Sequence, residues 1–358
     1  MDFRFFQELL SFDSTSGKER DVALWLAERL PGMFPDTNRP VLRADEVGDG
    51  TLNLLLTWGT PRIVFCSHLD TVPPYIPPRF PEGVSRAQIE GRGSCDAKGQ
   101  VFAMISACRR LAEEGCKDFG LLLLAGEETG SWGAKAFAKT DFRADYLVVG
   151  EPTDNCMVSA SKGTKSFDLI FTGVPFHSGY PEHGVSAVDL FVQFVNALKT
   201  KDFGIDPVLG ETTWNIGLLK SDNPQNILSP ELTCRLYFRT TFVSDEAVSR
   251  WMEESPGLWK EGRSEPATTA SAIPGLSGNL AVTARGGDTP AVYWTVESLP
   301  SKSVAFGSDA PHLTNFKYKA ICGPGSITVA HRDDEHVRVA DLETAVEQYI
   351  ALFRAVTK

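Results

Sequence analysis

The first part of the chain alternates between short apolar runs and amphipathic segments. Residues 62–66, 119–125 and 144–149 are apolar runs of the length expected for buried strands. Apolar residues that recur every three or four positions predict helices over residues 99–114, 130–138 and 340–356. Because strands and helices alternate, the pattern favours an α/β fold with a mostly parallel sheet flanked by helices.

The middle of the chain has a different pattern. Residues 167–172 and 231–242 alternate between apolar and polar positions, as half-buried strands do. One face of the second strand carries the apolar residues Leu232, Cys234, Leu236 and Phe238. Amphipathic helices are predicted over residues 186–199 and 245–254. This β-α-β-β-α order predicts a small α+β, ferredoxin-like domain inserted into the first one.

This change of pattern sets the expected domain boundaries. Residues 1–160 and 272–358 are predicted to form the main domain, and residues 161–271 the inserted one. Residues 262–287 are rich in glycine, serine, threonine, alanine and proline. That composition is typical of a connection, so this stretch is predicted to be the crossing back to the main domain.

Composition narrows the classes of function. The 358 residues are 42% hydrophobic and 23% charged, as in an ordinary globular protein. A formal net charge of -11 argues against a nucleic-acid partner, which needs a basic face, and against an anionic membrane surface. No apolar run approaches the ~18 residues of a membrane span, and the first residues lack the features of a secretory signal. Seven scattered cysteines without a C-x-x-C pair fit reduced thiols, so we expect a cytoplasmic protein.

Acids and histidines stand where the predicted strands end. His68 follows the first strand, with Asp70 near enough to orient a metal-bound imidazole. Glu127 and Glu128 follow a run of four leucines after two intervening residues, and Glu151 follows the third strand. The carboxyl ends of parallel strands carry the sites of open α/β sheets, so these side chains are expected to meet. The alternative is that they are surface residues, with the paired acids in a solvated loop that opens the next helix.

Asp96 and His331 extend this set of metal-ligand types. Asp96 precedes a predicted helix, where it is either an N-cap or a carboxylate that bridges two ions. His331 and His336 lie in one segment, and His336 has the simpler interpretation of a polar residue that enters the last helix. Zinc and related metals favour mixed imidazole and carboxylate ligands when one position stays open for water.

These motifs, in this order, resemble those of the co-catalytic zinc family that contains aminoacylase, acetylornithine deacetylase and succinyl-diaminopimelate desuccinylase. The matching segments run from His68 to His331, so the resemblance covers nearly the whole chain. It implies two metal sites, one held by His68, Asp96 and Glu151 and the other by Asp96, Glu128 and His331. It also implies that Glu127 is the general base and that Asp70 orients His68.

The inserted domain resembles the lid of the same family, which forms a dimer and delivers a histidine into the site of the partner subunit. Residues 173–181 resemble the segment that carries this histidine, although Phe176 stands where glycine is usual. The resemblance implies that His177 stabilises the oxyanion of the reaction. His183 is the weaker candidate for this role.

Two further residues of the inserted domain resemble lid positions that hold the substrate carboxylate. These are Asn226 and Arg239, and a guanidinium matches a carboxylate in bidentate geometry. Arg239 lies on the polar face of its predicted strand beside Arg235, so both arginines have the alternative of simply solvating the open face of a sheet. Residues 308–310 resemble a family loop near the site.

The expected function is that of a di-zinc amidohydrolase in amino-acid biosynthesis. It would cleave an N-acyl amino acid, such as acetylornithine or acetylcitrulline, to the free amino acid and a carboxylate. Two Zn²⁺ ions are the expected cofactors, with Co²⁺ or Mn²⁺ as alternatives. The expected partners are this small substrate and a second copy of the chain, bound through the lid. A metallo-dipeptidase or carboxypeptidase of the same family and a non-catalytic metal-binding scaffold are the alternatives, and the spare acid Glu127 argues against the scaffold.

Overall fold

The computed structural model describes residues 1–48, 50–80, 88–260 and 278–357, with residues 257–260 described by their backbone alone. The chain forms two compact units. The first unit comprises Met1–Ser159, Val292–Lys302 and Ser308–Lys358, and the second comprises Ala160–Ala291 and Ser303–Gly307. The predicted boundary between residues 271 and 272 lies outside the described residues.

The helices of the described residues are α1 (Phe3–Leu10), α2 (Arg20–Arg29), α3 (Lys98–Glu113), α4 (Trp132–Phe137), α5 (Ala187–Thr200), α6 (Asp245–Lys260) and α7 (Val339–Thr357). The strands are β1 (Val41–Val47), β2 (Thr51–Trp58), β3 (Ile63–His68), β4 (Gln88–Glu90), β5 (Phe119–Leu124), β6 (Ala144–Val149), β7 (Met157–Ser161), β8 (Gly163–Thr172), β9 (Ile205–Asp206), β10 (Gly210–Glu211), β11 (Thr213–Lys220), β12 (Glu231–Thr240), β13 (Asn279–Gly286), β14 (Ala291–Val292), β15 (Ser301–Val304), β16 (Phe316–Ile321) and β17 (His336–Arg338).

A six-stranded sheet with the order β1-β2-β5-β3-β6-β16 belongs to the first unit. β5, β3, β6 and β16 run parallel, as the alternating pattern predicts. β1 and β2 are antiparallel to each other, and β2 is antiparallel to β5, so the sheet is mostly parallel, as predicted, and has one antiparallel edge. The connection from Val47 to Thr51 is too short for a crossover helix, and strands joined in this way pair as a hairpin.

Helices hold the central strands in place. All six residues of β5 are buried, as expected for a strand in the middle of a covered sheet. α3 and α7 pack against each other and against β3. The ring of Phe65 in β3 lies 5.5 Å from that of Tyr349 in α7, and Phe119 in β5 lies 5.7 Å from Phe353. This packing fixes the strands from which the candidate site residues extend.

The parallel register brings three strand ends to one edge of the sheet. His68, the last residue of β3, pairs with Leu124, the last residue of β5. Cys66 pairs with Val149, the last residue of β6. The residues that follow β5 and β6 therefore leave the sheet beside His68, which is where a site forms in folds of this type.

The second unit contains a four-stranded antiparallel sheet with the order β11-β12-β8-β13, together with α5 and α6. The predicted alternation of β12 is confirmed, because its apolar residues Leu232, Cys234, Leu236 and Phe238 are each at most 2% exposed. They share one core with Phe194 of α5 and Met252 of α6. The two helices thus cover the apolar face that the alternating pattern predicts.

The predicted return crossing over residues 262–287 contains a strand. Residues 262–277 lie outside the described part, but Asn279–Gly286 forms β13 and pairs antiparallel with β8. This strand belongs to the second unit, whereas we expected it in the main domain. Its residues are mostly small and have a weak preference for strands, but hydrogen bonds to β8 stabilise the strand. Composition alone does not reveal this pairing partner. Within the described residues, no helix is both long and apolar enough to cross a bilayer.

Candidate metal centre

Two imidazoles and two carboxylates converge at the strand ends of the first unit. His68 Nε2 lies 3.2 Å from Asp96 Oδ1, and His331 Nε2 lies 3.3 Å from Asp96 Oδ2. His331 Nε2 also lies 3.1 Å from Glu128 Oε1. Ligand atoms of His68, Asp96 and Glu128 all lie within 4.8 Å of one another. Asp96 thus presents one oxygen to each histidine, which is the arrangement that a carboxylate bridging two ions requires.

Glu151 and Glu127 carry further negative charge beside this cluster. Glu151 is buried, and its Oε1 has no hydrogen-bond partner among the described residues. Burial, and then the charges of Glu127 and Asp96, raise the pKa of Glu151 well above its usual range. Burial also raises the pKa of Glu127 well above its usual value, with a further contribution from Asp309. Buried acids crowded in this way are unfavourable unless a cation or a shared proton compensates their charges.

His331 occupies an unusual backbone conformation. Its φ of +63° lies in the left-handed region, which residues other than glycine rarely adopt and which is enriched at functional sites. Hydrogen bonds to Asp96 and Glu128 raise the pKa of its imidazole to about 10. The donor set fits divalent cations: it mixes imidazoles with carboxylates, and it includes a buried carboxylate oxygen that has no hydrogen-bond partner in the described part of the chain.

Asp70 connects His68 to the loop that carries Glu127 and Glu128. His68 Nδ1 lies 2.9 Å from the backbone carbonyl of Asp70 and 3.4 Å from its Oδ1, so the carbonyl is the nearer acceptor. The carboxylate of Asp70 accepts hydrogen bonds from the N–H groups of Glu127 and Glu128 at 3.0 and 3.1 Å. His68 thus keeps its Nε2 turned toward Asp96, and the same acid fixes the backbone of the proposed base.

Several residues around the cluster were not singled out from the sequence. The hydroxyl of Ser16 donates to Asp70 Oδ2 at 2.8 Å. Arg92 and Glu335 form a buried ion pair beside Asp96. Asp309, in a loop noted only by resemblance, is 1% exposed, and burial raises its pKa to about 6. Spacing along the chain gives no signal for these residues, because their contacts come from distant segments.

The other predicted site residues belong to the second unit. The N–H of Ser178 donates to the carbonyl of Asn226 at 2.9 Å, which places Asn226 beside the His177 segment. The guanidinium of Arg239 lies 5.1 Å from the ring of Tyr237. Nε of Arg235 donates to Asp168 Oδ1 at 2.8 Å, so Arg235, the neighbour of Arg239 on this face, is paired with an acid of the same sheet.

Known proteins share both the sequence pattern and the fold. A family model described as "Peptidase family M20/M25/M40" matches residues 64–355. A protein from Aspergillus terreus named "Probable carboxypeptidase" is 30% identical over 385 aligned positions, which cover 98% of this chain and 85% of that protein. A solved tripeptidase from Staphylococcus aureus has a TM-score of 0.79 at 20% identity and covers 99% of this chain and 97% of its own. A family M20 metallo-carboxypeptidase from Sulfolobus solfataricus has a TM-score of 0.69 at 16% identity and covers 98% of each chain.

The fold and these matches define the class of the protein, which is a hydrolase that acts on amide or peptide bonds. More narrowly, the chain belongs to peptidase family M20/M25/M40, whose members are metal-dependent. The family resemblance drawn from the motifs is therefore confirmed at the level of the whole peptidase family.

Proposed function

We propose that this chain is a metallo-carboxypeptidase that removes the C-terminal amino acid from short peptides, dipeptides included. The observation that carries this proposal is the match, over 98% of the chain, to a relative named "Probable carboxypeptidase". It favours the peptidase alternative over the acetylornithine or acetylcitrulline deacetylase that the motifs led us to expect. The two reactions share one chemistry, because each hydrolyses an amide whose nitrogen belongs to an amino acid with a free carboxylate.

Two divalent ions, zinc in our proposal, would be held by five side chains of the first unit. His68, Asp96 and Glu151 would hold one ion, and Asp96, Glu128 and His331 would hold the other. Bound ions supply Lewis acidity, which lowers the pKa of a bound water and polarises a carbonyl. The unsatisfied Oε1 of Glu151 and the two-sided contacts of Asp96 support this assignment.

Glu127 would act as the general base and then as the general acid. Its raised pKa favours uptake of a proton from the attacking water. The same carboxyl would then pass the proton to the nitrogen of the leaving amino acid. The hydrogen bond from its backbone N–H to Asp70, at 3.0 Å, holds the main chain during this exchange.

Residues of the second unit would bind the substrate. The N–H of Gly179 donates to His177 Nδ1 at 3.0 Å, so in the neutral imidazole Nε2 carries the proton. His177 would thus offer a donor to the developing oxyanion, and Asn226 and Arg239 would bind the terminal carboxylate. That carboxylate recognition is what makes a C-terminal residue the preferred substrate end.

A homodimer formed through the second unit is part of the proposal. β11 is an edge strand, and its Leu218 and Leu219 are 48% and 53% exposed. An exposed apolar edge strand is prone to unwanted pairing unless another surface covers it. A second copy of the chain would provide that cover.

A Glu127→Ala variant tests the function. We expect it to keep about two metal ions per chain and to lose hydrolysis of a panel of dipeptides and tripeptides by at least about 1,000-fold. Glu113→Ala, on the partly exposed side of α3, serves as the control that keeps activity. Wild-type protein that cleaves acetylated amino acids but no peptide would instead support the deacetylase. Metal-loaded wild-type protein without either activity would contradict the proposal.

A further inference from the structure

A buried ion pair lies behind the proposed metal ligands. Arg92 and Glu335 are each 1% exposed, and Arg92 Nη1 donates to Glu335 Oε2 at 2.6 Å. Burying two charges costs about as much as their attraction returns, so such a pair is a poor source of stability by itself. The effect of this pair on the protein therefore depends on the backbone groups to which the two side chains are hydrogen-bonded.

Glu335 holds the backbone of the proposed bridging ligand. Its Oε1 accepts hydrogen bonds from the N–H groups of Cys95 and Asp96, both at 3.0 Å. Arg92 engages the other oxygen, so both oxygens of this carboxylate are used. Two charge-assisted hydrogen bonds fix the peptide from which the Asp96 carboxylate reaches His68 and His331.

Arg92 holds the segment that carries the other ligand. Its Nη1 donates to the carbonyl of Arg332, the residue after His331, at 3.1 Å. Its Nε donates to the carbonyl of Pro74, also at 3.1 Å. The carbonyl of Glu335 in turn accepts from the N–H of Gly91 at 3.0 Å. The pair thus joins the segment of Asp96 to the segment of His331.

We propose that Arg92 and Glu335 are positioning residues that set the separation between Asp96 and His331. They would thereby govern the affinity for the ion that these two ligands share with Glu128. Partners of this kind, one shell behind the ligands, typically change metal affinity by about 10- to 100-fold when they are removed. The inference rests on the ligand set of the proposed function, which the experiment below tests separately.

A Glu335→Gln variant breaks the arrangement with almost no change of shape. The glutamine amide has one acceptor and one donor end, so in either orientation an NH₂ group faces a donor, either Arg92 or the two backbone N–H groups. We expect one of two Co²⁺ ions, titrated into metal-free protein and followed by visible absorption, to bind about 10- to 100-fold more weakly. The other ion should be weakened less, because it shares only Asp96, and not His331, with the segments that this ion pair joins.

Asp245→Asn in the second unit is the matched control. Asp245 pairs with Lys165 at 2.9 Å, and the two side chains are 15% and 16% exposed. This variant breaks an ion pair that is also mostly buried but lies away from the ligand segments, so both Co²⁺ affinities should stay at the wild-type values. Equal weakening in the control and in Glu335→Gln would indicate general loosening and would overturn the positioning role.

The wild-type titration is read first. If it binds two ions and Glu335→Gln binds both with unchanged affinity, the positioning role is wrong while the proposed metal centre stands. If the wild type binds no Co²⁺, both are wrong. Should Glu335→Gln fail to fold by circular dichroism, Arg92→Lys carries the same test, because one ammonium cannot reach all three acceptors of Arg92. Unchanged Co²⁺ affinity in that variant would overturn the inference.

Discussion

Both carboxylate oxygens of Asp70 accept hydrogen bonds within the first unit. Oδ1 accepts from the N–H of Glu127 at 3.0 Å, and Oδ2 accepts from the N–H of Glu128 at 3.1 Å and from Ser16 Oγ at 2.8 Å. An asparagine at this position must turn an NH₂ group toward one of these donors. This position therefore requires a side chain with two acceptor oxygens, in addition to the contact of Asp70 with His68.

We accordingly expect Asp70→Asn to lower kcat/KM by about 10- to 100-fold, because it displaces the proposed base and one proposed ligand together. Ser16→Ala removes a single hydrogen bond to the same carboxylate and should have a much smaller effect. Steady-state kinetics on a dipeptide, with metal content measured in parallel, checks both variants. Equal kinetics for Asp70→Asn and the wild type would contradict the importance of these contacts.

Ionisation of Asp309 should make the free energy of unfolding of the metal-free protein depend on pH. Burial raises its pKa from 3.8 to about 6, while His68 and a hydrogen bond with Ser131 oppose the shift. An acid with a raised folded-state pKa binds more protons in the folded than in the unfolded protein between those two values. The free energy of unfolding therefore falls as the pH rises through this window, by about 3 kcal/mol at most.

Asn resembles the neutral form of Asp309 and does not ionise. In metal-free protein, we expect Asp309→Asn to raise the free energy of unfolding by up to about 3 kcal/mol at about pH 7.5, and to have little effect at about pH 4. Urea unfolding at the two pH values measures this difference. A stabilisation of the same size at both pH values would mean that ionisation of Asp309 is not its cause.

At the scale of elements, the turn after β5 depends on Gly126. Its φ is +67°, and a Cβ atom there would lie 1.7 Å from Trp132 Nε1. Gly130 also has a positive φ, of +113°, but a Cβ atom there would meet nothing within 4 Å. The two glycines thus share a conformation that disfavours side chains, and Gly126 adds a close approach.

Gly126→Ala should consequently cost about 1–3 kcal/mol more stability than Gly130→Ala, since only the first adds overpacking to backbone strain. Gly126→Ala should also lower activity, because Glu127 is the next residue. Urea unfolding and peptide hydrolysis of both variants check these expectations. A Gly126→Ala variant as active and as stable as Gly130→Ala would show that the turn rearranges freely.

Elements were predictable where one local signal dominates. The apolar runs at 62–66, 119–125 and 144–149 correspond to Ile63–His68, Phe119–Leu124 and Ala144–Val149, because continuous burial leaves a continuous apolar sequence. β13 escaped prediction because it is stabilised mainly by pairing with β8. Among the site residues, the histidines and acids that follow predicted strands could likewise be recognised from the sequence, because their residue types and positions are local signals. The hydrogen bonds of Glu335, which join segments more than 200 residues apart, are set by tertiary structure.

At the scale of the whole molecule, the proposed duties divide between the two units. The candidate metal ligands and Glu127 belong to the first unit, and His177, Asn226 and Arg239 belong to the second. A homodimer through β11 would cover apolar surface and, by the family resemblance, let His177 act in the site of the partner subunit. In this proposal, hydrolysis needs the metal-binding residues of one subunit and His177 of the other, so activity should depend on dimer formation.

Mixed dimers test this dependence. His177→Ala and Glu127→Ala homodimers should each be nearly inactive. After equal amounts of the two are mixed and allowed to exchange subunits, half of the dimers are hybrids. If His177 acts in the site of the partner subunit, each hybrid has one site with both residues intact. Activity should therefore return to about a quarter of the wild-type value if His177 acts across a two-fold dimer. Sedimentation and differential tagging verify that hybrids form. Proven hybrids without recovered activity would mean that His177 serves its own subunit, because every site would then lack one of the two residues.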